Sequence, residues 1–245
     1  LHERRNQLGG FLPNRQIFNT KLRFADDHFK DSDNETTREM STTMVFVKIL
    51  TSMMRDKKIG QNIVPIVPDE ARTFGMDGLF RQFGIYSREG QKYMPEDSDQ
   101  VMWYRESEDG VMLEEGINEA GAMSAWIALA TSYSSNKLPM IPFYIFYSMF
   151  GFQRVHDLAW AAGDARARGF LLGATSGRTT LNGEGLQHQD GHSHIFAQTI
   201  PNCKSYDPCF SYELSTIIDE GIKEMYLDNK DVYYYITLMN ENYIH

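Results

Sequence analysis

Along this chain, short runs of consecutive apolar residues alternate with stretches whose apolar residues recur every three or four positions. The runs are Ile63-Val64-Pro65-Ile66-Val67, Met140 to Phe146, Phe170 to Ala174 and Val232 to Thr237. Segments apolar at every position predict strands buried on both faces. Met40, Met44, Val47, Leu50 and Met54 lie on one helical stripe. The pair Thr36 and Glu39 has the spacing of a capping box that would open this helix, and Lys57-Lys58 before Gly60 would close it. Further helices are predicted from about Phe150 to Arg166 and from about Tyr212 to Tyr226, and a small-residue, apolar one, expected to be packed all round, over Met123 to Ala130. Strands alternating with helices predict an α/β fold with a doubly wound, mostly parallel sheet. Pro65 and Pro142 fall inside two of the strands, which predicts edge positions or bulges there. Residues 1–35 carry Gly9-Gly10 and Pro13 with no sustained period and predict a linker or wrapping arm, leaving 36–245 as the domain.

Composition narrows the class. With 245 residues, 42% of them hydrophobic, the chain can bury a large core. Lys and Arg number 24 against 33 Asp and Glu, a net charge of -9, which argues against nucleic acid as a partner. Mean hydropathy is -0.44 and no window reaches the length of apolar sequence that a membrane span requires. Cys203 and Cys209 are the two cysteines; they lack Cys-x-x-Cys spacing and predict inert thiols in a reducing cytoplasm. The first residue is Leu1, in a polar stretch unlike a signal or transit peptide, so the chain reads as an interior piece of something longer.

In parallel sheets functional groups gather beyond the carboxyl ends of the strands. Four segments fall there: Asp69 to Arg72, Glu114 to Ala120, Tyr147 to Gly151, and the polar stretch Thr175 to His194. The last holds four glycines and three histidines and hardly an apolar group, so core packing cannot explain it. His188, His192 and His194 with Asp190 could ligate a metal, although Gly191 inside the cluster opposes a helix that would align them. A hydrogen-bonding substrate loop and a plain solvated loop are the other readings. Phosphate-cradling glycine motifs and the Gly-x-Ser-x-Gly of a serine hydrolase are absent. Glu119 precedes the small-residue helix, where a carboxylate is favoured by the helix dipole; it is either a cap or a buried carboxylate used on a ligand. Tyr144, Phe146, Tyr147, Phe150 and Phe152 form either core or a stacking surface for a flat heterocycle.

As a set, Asp69 to Gly75, Glu114 to Gly121, Ile141 to Arg154 and Thr175 to His194 closely resemble the homodimeric type of pyruvate dehydrogenase, the thiamine-diphosphate-dependent first component of the bacterial complex. The likeness runs from about residue 36 onward, to the middle domain that receives the aminopyrimidine ring. The resemblance implies that Glu119 hydrogen-bonds the ring nitrogen, that Phe150 stacks on the ring and that Ile117 is an apolar contact beside it. It also implies that Tyr147 and His188 orient pyruvate at the reacting end. By the same likeness, Asp69, Glu70 and Glu184 line the pocket and Arg154 ties the aromatic segment in place. Implied partners are a second subunit, pyruvate and the dihydrolipoyl acetyltransferase component that receives the acetyl group.

One departure is informative. The family's Gly-Asp-Gly motif for diphosphate and magnesium is missing, since Gly163-Asp164-Ala165 has alanine in place of its closing glycine. The resemblance places that motif in the preceding domain of the partner subunit, so Mg2+ would be held there, no metal ligand is expected in this chain, and the isolated piece is expected to be inactive. A related 2-oxoacid dehydrogenase, a transketolase, a metal-dependent hydrolase built on the three histidines, and a non-catalytic interaction module are the competing readings.

Overall fold

The computed structural model of the chain describes residues 1–7, 39–68, 71–177, 181 and 183–244. Its centre is a six-stranded sheet of β1 (Ile63–Val67), β2 (Leu113–Glu114), β3 (Ile141–Tyr147), β4 (Phe170–Ala174), β5 (Cys203–Tyr206) and β6 (Tyr233–Thr237). The order is β2-β1-β3-β4-β6-β5, and every neighbouring pair is parallel. The four apolar runs of the sequence are the four inner strands. β2 and β5 carried no such signal because one is two residues long and the other, Cys-Lys-Ser-Tyr, lies on the sheet edge where no second neighbour demands apolar residues.

Five helices cover the sheet: α1 (Thr42–Arg55), α2 (Glu119–Ala130), α3 (Gly151–Asp164), α4 (Ser193–Gln198) and α5 (Ser211–Ile222). α2 packs on α3 and α3 on α4, while α1 packs on α5. α2, α3 and α4 connect strands progressing one way across the sheet and α5 makes the return. Right-handed crossovers therefore put the two groups on opposite faces, the doubly wound arrangement. On one face Phe143 stacks on Phe170 with centroids 4.7 Å apart, beneath Phe46 of α1. On the other, Trp126 of α2 meets Tyr233 edge-on and donates from Nε1 to the carbonyl of Phe170 at 3.0 Å.

Two local expectations need correction. α1 begins at Thr42, with Ser41 Oγ accepting from the Met44 amide at 3.3 Å, and ends at Arg55. Glu39–Met40 instead pair antiparallel with Tyr243–Ile244, so Glu39 opens no helix, and Thr36 lies outside the described residues. The buried stripe is accordingly Val45, Phe46, Ile49, Leu50, Met53 and Met54, with Met44 outside. The prolines are not on edge strands: β1 and β3 are interior. They are tolerated because β2 pairs with β1 only from Ile66, and β4 pairs with β3 only from Phe143, so each proline has one flank without a ladder to break. Of the arm expected over residues 1–35, the described part is a short helix, His2–Gln7, and residues 8–35 lie outside. Among the described residues no helix is long and apolar enough to cross a membrane.

Candidate functional site

The six carboxyl ends share one edge of the sheet. The chain leaves β1 in one direction and β3 in the other, so the connections after these two strands diverge and open a crevice. α2 starts beside it. Its cap is Asn118, whose Oδ1 accepts from the Gly121 amide at 3.0 Å, which leaves the Glu119 side chain free of capping duty. Glu119 is only 8% exposed. Its carboxylate is bonded by Arg154 and its carbonyl accepts from the Tyr144 hydroxyl at 3.3 Å. Burial, and then the Glu119 charge, push the Tyr144 phenol far up, so it stays a neutral donor.

Arg154 comes from the first turn of α3, which is set apart by non-helical backbone at Val155. Gly151 makes this placement possible: a Cβ there would lie 1.9 Å from the Phe146 ring, so only glycine lets the turn settle on the strand. The Arg154 guanidinium sits 4.4 Å from the centroid of Phe150. Tyr147, the last residue of β3, meets Phe74 at 5.3 Å and Phe150 at 6.0 Å.

His188 arrives from the polar loop, on the turn Leu186–His188, and stands edge-on against Tyr147 at 5.7 Å and Phe150 at 5.4 Å. Its Nδ1 lies 3.6 Å from a Glu184 carboxylate oxygen, beyond hydrogen-bond range, and is buried without a hydrogen-bond partner. Thus Glu119, Arg154, Phe150, Tyr147, His188 and Glu184 form one connected set. Ile117 stands two residues before Glu119 with its side chain 81% exposed. Asp69 and Glu70 lie outside the described residues.

Comparison with known proteins gives the chain its family. Residues 23–245 match the family described as pyruvate dehydrogenase E1 component middle domain. The chain belongs to that family. It is 61% identical over its full length to the pyruvate dehydrogenase E1 component of Pseudomonas aeruginosa, and 59% identical over 99% of its length to that of Escherichia coli. It spans 28% of the length of each of these relatives. Among solved structures it resembles the transketolase of Leishmania mexicana, with a TM-score of 0.63 at 13% identity over 87% of this chain and 27% of that one. The transketolase of Campylobacter jejuni gives 0.59 at 14% identity over 90% and 29%. At such identities the likeness shows the shared fold alone.

Within this middle domain the three loop histidines do not converge. His188 faces the aromatic pair; His192 Nε2 lies 2.8 Å from the Gln153 amide; His194 Nε2 lies 2.9 Å from the Thr237 hydroxyl. Among the described residues no group of three or more such side chains could hold a metal ion. The three histidines on which the hydrolase reading rested therefore make separate contacts. Asp190 is an anchor instead: it accepts from the His192 and Ser193 amides at 3.0 Å and from the Ser193 hydroxyl. Burial alone would raise its carboxyl, but these bonds and the His192 ring outweigh it and hold the group below the usual range. The Asp-x-x-Ser spacing at the start of α4 is the signal that could have identified it as a turn anchor. Tyr144, read only as core or stacking surface, also gains its hydroxyl contact only in the fold.

Proposed function

We propose that this middle domain is the pyrimidine-binding domain of a pyruvate dehydrogenase whose intact chain decarboxylates pyruvate and transfers the acetyl group to lipoyl groups of the acetyltransferase component. The reading includes thiamine diphosphate as cofactor, Mg2+ held by another domain in the partner subunit of a homodimer, and a cytoplasmic location. The observation that carries it is the nearly buried carboxylate of Glu119 linked through Arg154 to the half-buried Phe150.

The residues fit an aminopyrimidine. A flat ring with a basic nitrogen needs an acceptor for its proton and an aromatic face, and here both meet at one crevice. The exposed apolar side chain of Ile117 and the unpartnered Nδ1 of His188 are groups that a ligand would satisfy. When bound, thiamine diphosphate supplies the nucleophilic carbon and the electron sink that protein side chains lack. The chain's own part is placement and proton control. Glu119 holds a proton at the ring nitrogen in a low-dielectric setting, where such a contact is strong. Phe150 and Ile117 fix the ring; Tyr147 and His188 orient pyruvate; Asp69, Glu70 and Glu184 line the approach, and Arg154 braces the aromatic turn.

The test is pyruvate-dependent reduction of an artificial electron acceptor by the intact parent enzyme, wild type against Glu119→Gln, with folding and dimerisation measured alongside. Turnover of a folded variant should fall by about 10²-fold or more. Activity within a few-fold of wild type would refute the role of Glu119. Turnover of a sugar phosphate in place of pyruvate would favour the transketolase reading.

A further inference from the structure

Tyr147 ends β3 with its backbone fixed and its ring set among three others. It pairs with Ala174 across the ladder, and its carbonyl accepts from the Phe150 amide at 2.9 Å. Phe74 lies 5.3 Å from its ring centre at a tilt of 51°, Phe150 at 6.0 Å and 76°, and His188 at 5.7 Å and 72°. Phe150 and His188 keep partial access to solvent, whereas Phe74 has none. Of these three rings, Phe74 is the one that backs Tyr147 from the protein interior.

The backing is rigid. Phe74 closes a single turn, Ala71–Phe74, in the connection after β1. At the start of this turn the Ala71 amide donates to the Glu114 carboxylate of β2 at 2.9 Å. At its end the Gly75 and Met76 amides donate to the carbonyls of Arg72 and Ala71 at 2.9 and 3.0 Å, with Gly75 in the left-handed region at a φ of 69°. Arg72, inside the turn, is paired with Asp97. A ring held in this way within a close-packed core leaves Tyr147 no room to retreat.

We infer that Phe74 is a positioning residue that sets substrate size: by holding Tyr147 forward it limits the 2-oxo acid to a one-carbon side chain. This rests on the reading above in which Tyr147 orients pyruvate. A smaller side chain at position 74 leaves space behind Tyr147; the phenol settles into it, and a longer 2-oxo acid gains the room it gives up.

The experiment compares kcat/KM of the intact parent enzyme, supplied with thiamine diphosphate and magnesium, for pyruvate and for 2-oxobutanoate, which is longer by one methylene. A pocket that excludes one methylene discriminates by about tenfold or more, so the wild type should prefer pyruvate by at least that factor. In F74L the ratio should shift toward 2-oxobutanoate by about tenfold, and in F74M, which fills the site with a flexible chain, in the same direction. F46L shortens another fully buried ring away from Tyr147 and should leave the ratio at the wild-type value, because general loosening lowers both substrates together. A folded F74L or F74M with the wild-type ratio, or F46L shifting it equally, overturns the inference. A crystal structure of the wild-type enzyme with acetylphosphonate, an analogue of pyruvate, tests the same point whether or not the variants fold. Tyr147 should lie between Phe74 and the analogue; Tyr147 out of contact with it overturns the inference. Absence of pyruvate turnover by the wild-type enzyme would instead overturn the pyruvate dehydrogenase reading itself.

Discussion

Glu119 and Glu224 are both nearly buried carboxylates, yet their surroundings give them different work. Glu119 has one half-exposed cation, Arg154, and stands in the first turn of α2. Glu224 is saturated: Lys204 at 2.5 Å, Lys230 at 2.6 Å and the Tyr234 hydroxyl at 2.5 Å all donate to it. Burial raises a carboxyl, but here the three donors outweigh it and hold Glu224 at about 2, against an ordinary 4.5. A group whose proton is held less tightly in the folded state stabilises fully above its unfolded value, and that contribution is lost as pH falls through about 2. Glu224→Gln should therefore lower the urea midpoint at pH 7, with the gap to wild type narrowing as pH drops below about 4.5. A gap unchanged between neutral and acid pH would contradict this. At Cys203 burial dominates: it outweighs a hydrogen bond with Tyr233 that acts the other way, and the thiol is pushed up to about 12, as an inert thiol requires.

At the scale of elements, the site depends on how tightly α3 meets β3. Gly151 rests on Phe146, and the same turn presents Phe150 on one side of it and Arg154 on the other. Gly151→Ala would force a methyl into the ring, and overpacking of this kind costs about 1–3 kcal/mol. The turn must shift to relieve it. We expect a lower denaturation midpoint together with weakened thiamine diphosphate binding by the parent enzyme. Lost stability with unchanged binding would show that the turn does not set the pocket. The loop carrying His188 is fastened in a different way. Asp190 ties it to the start of α4, and the rings of Tyr147 and Phe150 receive the imidazole.

For the whole molecule, parallel strands bring four distant segments to one edge, but the described residues supply carboxylates and aromatics without a metal-binding cluster. With the chain spanning 28% of its relatives, the isolated domain should hold half a cofactor site. Calorimetry on the purified domain should show weak thiamine diphosphate binding, no magnesium dependence and no pyruvate turnover. Tight, magnesium-dependent binding would end the half-site interpretation. The inner strands were legible in the sequence because burial on both faces leaves a run of consecutive apolar residues; α2 was legible as a helix but is not packed all round as its composition predicted, since Ala120, Ser124 and Ala128 face solvent, and α3 is amphipathic with Gln153, Arg154 and Asp157 exposed. The resemblance also singled out Glu119, Tyr147, Phe150 and His188 as a set. Edge strands, the start of α1 and the tolerance of Pro65 and Pro142 were not legible, since they depend on which neighbour lies alongside and where its ladder begins. Local pattern could not choose between cap and ligand-facing carboxylate for Glu119, or between metal cluster and separate contacts for the histidines. What the tertiary structure adds is that Asn118 takes the cap, Arg154 crosses from another helix to Glu119, and each histidine meets a partner distant in sequence, because these contacts join segments that are far apart along the chain.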